Sequence, residues 1–78
     1  MKIYIHLFTI LKPYGEGKLA EDGSFEIAEG TTLGEISGLL GLPPKRGKVY
    51  LVNERPKRPD YLCKESDKVK ILSFIGGG

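Results

Sequence analysis

The sequence predicts an α+β domain in which one main helix packs on one face of a mixed sheet of four to five strands. Four short segments are rich in β-branched and aromatic residues and are separated by turn signals. A single segment repeats its apolar residues at helical spacing. The chain has 78 residues, 40% of them hydrophobic, so we expect one small core.

The first strand is predicted at residues 2–10, KIYIHLFTI. Alternation places Ile3, Ile5 and Leu7 on one face of this strand. The residues of the other face are Tyr4, His6 and Phe8. Because both faces carry apolar groups, we expect a central strand, or a strand whose second face meets a partner.

A loop or wide hairpin connection is predicted next, at residues 12–23, because this segment holds several turn signals and many charges. A short second strand follows at residues 24–28, SFEIA. Phe25 and Ile27 lie on the same face of this strand, which predicts that one face is buried.

The helix is predicted at residues 33–40. Thr32 and Glu35 have the spacing of a capping box, in which each side chain binds an amide of the first turn. The apolar residues at helical spacing are Leu33, Ile36, Leu39 and Leu40. Gly41 matches a glycine C-cap, and the two prolines that follow prevent continuation.

Two further strands are predicted at residues 48–53 and 68–75, joined by a long crossing loop at 54–67. With an N-terminal hairpin and a helical crossover, the first and last strands lie side by side in the centre. This is the β-grasp arrangement of ubiquitin. We therefore expect a β-grasp domain over residues 1–75 and a flexible glycine tail at 76–78.

The charge pattern argues against several classes of function. The net charge is +2, and the basic groups at 44–48 and 55–58 are best interpreted as solvated loop surface, with docking to an acidic partner as the alternative. No nucleic acid, membrane or bound metal is expected. The single Cys63 cannot form an internal disulfide, which fits a cytoplasmic protein. We interpret both His6 and Cys63 as structural, with a nucleophilic role for Cys63 as the alternative.

The chain closes on three glycines directly behind an apolar strand. Glycine buries no side chain and loses the most entropy when it is ordered, so such a tail adds nothing to the core. A tail without Cβ atoms is slender and can adopt backbone angles that other residues cannot. It is therefore suited to entering a narrow active site, although an idle, frayed terminus is the alternative.

Four segments of the chain resemble the MoaD/ThiS family of ubiquitin-like sulfur carriers. They are KIYIHLFTILKPYGEG, EGTTLGEI, the strand end VN, and DKVKILSFIGGG. The resemblance implies that a ubiquitin-activating-type adenylyltransferase consumes ATP to adenylate the carboxylate of Gly78. A sulfur donor then converts it to a thiocarboxylate, and Gly76 and Gly77 thread into the partners' active sites. The protein itself would have no catalytic residue and no bound cofactor.

The resemblance leaves several destinations for the sulfur. We predict the small subunit of a molybdopterin synthase, because the extended 11–23 connection resembles that branch. The Phe-Ile-Gly-Gly-Gly ending instead resembles the thiamine branch, whose downstream partner is a thiazole synthase. Two functions without sulfur transfer also stay open, a ubiquitin-like protein modifier and a binding module with an idle tail.

An apolar surface near the tail is the predicted partner-binding site. Its residues are Phe8, Leu72, Phe74 and Ile75. Such a patch on a small protein usually marks an interface. The alternative is that loop 11–23 or loop 54–67 covers it.

Overall fold

The computed structural model describes residues 1–43 and 47–73. They form five strands, one α-helix and one 3-10 helix. In chain order these are β1 (Lys2–Leu7), the 3-10 helix (Thr9–Gly15), β2 (Ser24–Glu26), α1 (Leu33–Leu40), β3 (Lys48–Val52), β4 (Arg55–Lys57) and β5 (Lys68–Ser73). The predictions for Phe74, Ile75 and the three glycines lie outside the described residues.

The five strands form one mixed sheet in the order β2-β1-β5-β3-β4. The two central strands, β1 and β5, are parallel, with Tyr4 opposite Lys68 and Leu7 opposite Ile71. The other neighbouring strands are antiparallel. The predicted central pairing of the first and last strands is therefore confirmed.

Helix α1 begins and ends at the predicted residues because its signals are local. The Glu35 amide donates to Thr32 Oγ1 at 3.1 Å, and the Thr32 amide donates to Glu35 Oε1 at 2.8 Å, which completes the capping box. The helix ends at Gly41, whose φ of 73° is left-handed. The amide of Gly34, in the first turn, donates to the Pro59 carbonyl at 2.9 Å, so the 54–67 loop fastens the start of the helix.

The core lies between α1 and one face of the sheet. The helix contributes Leu33, Ile36 and Leu40, all fully buried, and the central strands contribute Ile3 and Ile71, which are also fully buried. Ser37 lies on the same side of α1, and its hydroxyl lies 2.6 Å from the Tyr50 hydroxyl in a buried hydrogen bond. This polar contact at the margin of the core satisfies both hydroxyl groups.

The predicted first strand is too long. β1 ends at Leu7, and a 3-10 helix occupies residues 9–15, where the sequence predicted strand and then loop. Thr9 has a φ of 48°, which no strand residue adopts, and Leu11 turns into the core and is fully buried. The burial of Leu11 therefore stabilises the 3-10 helix, which has no periodic apolar pattern of its own.

The predicted crossing loop contains the fifth strand, β4. It follows β3 through a two-residue turn at Asn53 and Glu54, which have φ values of 52° and 72°. Two successive positive φ values are typical of a tight hairpin turn whose twist matches that of the strands. β4 lies at the edge of the sheet, where Pro56 is tolerated.

Candidate partner-binding site

The sheet face opposite α1 carries a band of side chains that we call the open face. Strand alternation and register assign its members. They are Tyr4 and His6 on β1 and Phe8 just after it, Lys68, Lys70 and Leu72 on β5, Val49 and Leu51 on β3, and Pro56 on β4. Their neighbours in sequence on β1, β3 and β5 point into the core instead. The open face is therefore formed by the strands that also build the core.

The end of the open face near the C-terminal end of β5 is apolar. Leu72 pairs with Val49, and the Phe8 amide donates to the Ile71 carbonyl at 3.2 Å, which holds Phe8 beside β5. The Phe8 ring stacks on the His6 ring with centroids 4.2 Å apart. The structure thus brings Phe8 and Leu72 to one end of one face, and each is half-buried. That this end binds a partner remains a prediction.

The opposite end of the open face is charged. Lys70 pairs with Leu51 in the sheet, and its ammonium donates to Glu54 Oε1 at 2.8 Å. Lys68 lies one row further from the apolar end, opposite Tyr4. Any partner of the whole face would therefore need an apolar contact at one end and polar groups at the other.

A buried carboxylate, that of Asp67, anchors the start of β5. It accepts hydrogen bonds from the Lys64 amide at 2.8 Å, from Asn53 Nδ2 at 3.0 Å and from the Tyr61 hydroxyl at 3.0 Å. Asn53 Oδ1 in turn accepts from the Lys68 amide at 3.1 Å. Burial and the bond to Asp67 raise the pKa of the Tyr61 hydroxyl.

In the sequence, Asn53 and Asp67 stand out only as parts of the family resemblance. No local pattern predicts that their side chains bond each other. Asp67 directly precedes a buried strand, and Asn53 occupies a tight turn, where asparagine tolerates a positive φ. Those two signals place each residue at a strand end, but the bond between them depends on how the strands pair.

Cys63 is buried, and its surroundings disfavour the thiolate. Burial, together with the nearby Asp67 charge, raises the pKa of the thiol to about 11. Because the thiolate is the nucleophile, little of it forms at neutral pH. This supports the structural interpretation of Cys63. His6, by contrast, is exposed on the open face and does not lie in the core.

The described residues, 1–43 and 47–73, contain no group of three or more histidine, cysteine or acidic residues that could hold a metal ion. Within the same ranges no helix is long and apolar enough to cross a membrane.

One helix on a five-stranded mixed sheet, with the first and last strands parallel at its centre, defines a ubiquitin-like β-grasp protein. The sequence matches the ThiS family over residues 5–78, so the chain belongs to this family of ubiquitin-like sulfur carriers. Members of the family are small and generally non-catalytic carriers that work with an activating enzyme and a synthase. A comparison with curated proteins finds no match.

Proposed function

We propose that this protein carries sulfur as a thiocarboxylate on Gly78. The observation that supports the proposal is the family match, which extends to residue 78 and so includes the glycine tail. In the proposed route a ubiquitin-activating-type adenylyltransferase joins the Gly78 carboxylate to the AMP part of ATP, and pyrophosphate leaves. A donor of sulfide-level sulfur, a hydrosulfide equivalent, then attacks the activated carbonyl, and the carbonyl–phosphate bond breaks. AMP leaves with the bonding electron pair, and the attacking sulfur stays on Gly78 as the thiocarboxylate. The carrier supplies no catalytic group and binds no cofactor of its own.

The division of labour within the chain follows from residue type. In this proposal residues 1–75 act as the β-grasp domain that partners recognise, and residues 76–78 act as the tail that partners modify. Without Cβ atoms, Gly76 and Gly77 pass through a narrow channel that other residues would block. Because carriers of this kind depend on ATP-consuming enzymes, we place the protein in the cytoplasm.

For the destination of the sulfur we propose molybdopterin, the organic part of the molybdenum or tungsten cofactor. The long connection between β1 and β2, which contains the 3-10 helix at Thr9–Gly15, favours this branch by resemblance. The partner would then be the large subunit of a molybdopterin synthase. The thiazole of thiamine is the second candidate, favoured by the Phe-Ile-Gly-Gly-Gly ending, and its partner would be a thiazole synthase.

We propose that both classes of partner dock on the apolar end of the open face. Phe8 and Leu72 lie near Ser73, the last described residue before the tail, so a partner bound there lies close to the start of the tail. Phe74 and Ile75 would extend the same interface. The half-buried state of Phe8 and Leu72 leaves part of each side chain accessible for contact.

The proposal is tested by the intact mass of the purified chain before and after incubation with an activating enzyme, ATP and a sulfur donor. We expect a mass increase equal to the exchange of one oxygen for one sulfur, and no increase when Gly78 is deleted. Conjugates of higher mass with lysine-containing proteins would instead identify a protein modifier. An unchanged mass, under conditions where another carrier of the family reacts, would refute carrier chemistry.

The destination needs a separate experiment. The thiocarboxylated chain is mixed in parallel with a molybdopterin synthase large subunit and with a thiazole synthase, and loss of sulfur from the chain is followed by mass. We expect transfer in the first mixture only. Transfer in the second mixture alone would replace the molybdopterin assignment with the thiamine one and leave the carrier function intact.

A further inference from the structure

The β2 side of β1 is covered over only part of its length. The antiparallel pairing ends at Tyr4 opposite Ser24, and the last bond runs from the Ile5 amide to the Gly23 carbonyl at 2.8 Å. The chain then turns away, because the Gly23 amide donates to the Ala20 carbonyl and Gly23 has a φ of 85°. The second half of β1 therefore has no strand neighbour on that side among residues 1–43 and 47–73.

Leu7 presents its backbone to this uncovered side. The amides of Tyr4 and Phe8 donate to carbonyls on the β5 side, those of Asp67 and Ile71, at 2.9 and 3.2 Å. Alternation directs the N–H and C=O of Leu7 to the opposite side. In the described part of the chain neither of these two groups has a hydrogen-bond partner, although Leu7 is only 5% exposed. Such a pair on one residue is what an added antiparallel strand completes with two bonds.

A groove of about 540 Å³ borders this edge. Its outer wall is the loop that leaves the 3-10 helix, which supplies apolar surface from Leu19 and carboxylates from Glu16, Glu21 and Asp22. The lysine of this loop, Lys18, is directed elsewhere, since its ammonium donates to the Leu40 carbonyl at 3.0 Å. The loop wall is therefore acidic.

The remaining charges of the groove are three lysines. Lys12 and Lys68 line the groove together with Lys70, and the Lys70 ammonium is paired with Glu54 outside it. A peptide strand in the groove would carry its side chains alternately toward the loop wall and away from it. Basic residues at the positions that face the loop wall would contact its carboxylates.

We propose that this groove binds an extended basic segment of a partner protein, which joins the sheet at Leu7 as a short antiparallel strand. Backbone bonds to the N–H and C=O of Leu7 supply the orientation, and the exposed carboxylates of Glu16 and Glu21 select basic side chains. The Asp22 carboxylate adds negative charge but already accepts a hydrogen bond from the Ser24 amide at 3.0 Å. This site is separate from the glycine tail and from the apolar end of the open face. It holds whether or not the chain carries sulfur.

The first experiment tests whether the Leu7 amide is unpaired in the free protein, by amide hydrogen exchange. We expect the Leu7 amide to exchange at least about tenfold faster than the Ile5 amide, which is bonded to Gly23, because an unpaired amide is protected only by burial. Equal, slow exchange of both amides would show that the Leu7 amide is already paired and would overturn the proposal.

Binding is then measured by nuclear magnetic resonance on the isotope-labelled chain with the acetylated, amidated pentapeptide Ser-Lys-Val-Lys-Ser as the probe. We expect shift changes at residues 5–7 and 15–23 and slower exchange of the Leu7 amide. The same peptide with an N-methylated valine keeps the charges but loses a backbone donor, so it should not bind. A peptide with glutamate in place of both lysines should not bind either.

Variants separate the groove from general electrostatic attraction. Glu21→Lys should weaken probe binding about fivefold or more, whereas Glu29→Lys, an equal charge change at an exposed site outside the groove, should leave it nearly unchanged. Equal weakening by both variants, shifts confined to the apolar end at Phe8 and Leu72, or no binding of the probe would each overturn the proposal. Dimerisation through this edge would overturn it too, because it would make a second copy the occupant.

Discussion

The Asp67→Ala variant tests whether the hydrogen bonds of this carboxylate hold the start of β5. The substitution removes an acceptor that three donors share, from Lys64, Asn53 and Tyr61. A buried hydrogen bond to a charged group contributes about 1.5–3 kcal/mol to stability. The contribution is smaller where the donor residue is exposed, as Asn53 and Lys64 are. At about 1 kcal/mol for each bond, we expect the free energy of unfolding to fall by about 3 kcal/mol.

A loss of this size is a large fraction of the stability of a small domain. A chain of this length has a free energy of unfolding of about 4–12 kcal/mol. A loss of about 3 kcal/mol lowers the melting temperature by about 12–24 °C. The measurement is denaturant unfolding followed by circular dichroism, because the midpoint and slope together separate lost stability from a changed unfolded state.

Two variants serve as controls for this reasoning. Tyr61→Phe removes one donor and keeps the ring, so we expect a loss of about 1 kcal/mol. In the double variant with Asp67→Ala, the Tyr61→Phe change should have almost no further effect, because the bond is already absent. A loss below about 1 kcal/mol for Asp67→Ala alone would refute the reasoning, since water would then replace the carboxylate at little cost.

Three further predictions concern the helix, the thiol and the open face. Gly38→Ala should raise the free energy of unfolding by about 1 kcal/mol, because alanine favours the helix and nothing lies within 4 Å of the added methyl group. Gly41→Ala should lower the free energy of unfolding by about 1 kcal/mol, because the φ of 73° at this position is unfavourable for alanine. The denaturant midpoints of the two variants test both expectations. Because the pKa of Cys63 is raised from 9.0 to about 11 in the folded protein, stability should be complete below pH 9 and fall by up to about 3 kcal/mol as the pH rises to 11. Cys63→Ala should remove most of this dependence of stability on pH. If the dependence is unchanged by the substitution, other groups cause it. Phe8→Ser should weaken binding of the activating enzyme in a titration while the domain stays folded, and unfolding of the variant would show that Phe8 belongs to the core instead.

The parts of the fold that were predicted correctly depend on local signals. The capping box at Thr32 and Glu35 and the glycine at Gly41 define both ends of α1 without reference to the rest of the chain. Alternation in β1 also predicted correctly which residues enter the core, since Ile3, Ile5 and Leu7 are buried.

The parts that were missed depend on tertiary contacts. A 3-10 helix has no distinctive periodicity, and the burial of Leu11 that stabilises it comes from the packed sheet and helix. β4 contains Pro56, which usually indicates a loop, and pairing with β3 overrides that signal. The bonds of Asp67 and the uncovered edge at Leu7 depend on strand register, which no local pattern specifies.

The anchoring of β5 limits where a partner can work. β1 pairs with residues 68–71 of the strand, β3 pairs with residues 69–73, and Asp67 holds its start. Ser73 is therefore held in the sheet, opposite Lys48. Five residues follow Ser73, and covalent geometry limits their reach to about 17 Å. The charged row at Lys68 lies about 13 Å back along the strand from Leu72, whereas the apolar row of Phe8 and Leu72 lies next to Ser73. A partner that contacts the apolar end can therefore place its reaction centre within the reach of the tail. For a partner that contacts only the charged end, the tail would use most of its reach to pass back along β5. This difference in distance supports the proposal that the partners that activate the chain and take its sulfur dock at the apolar end.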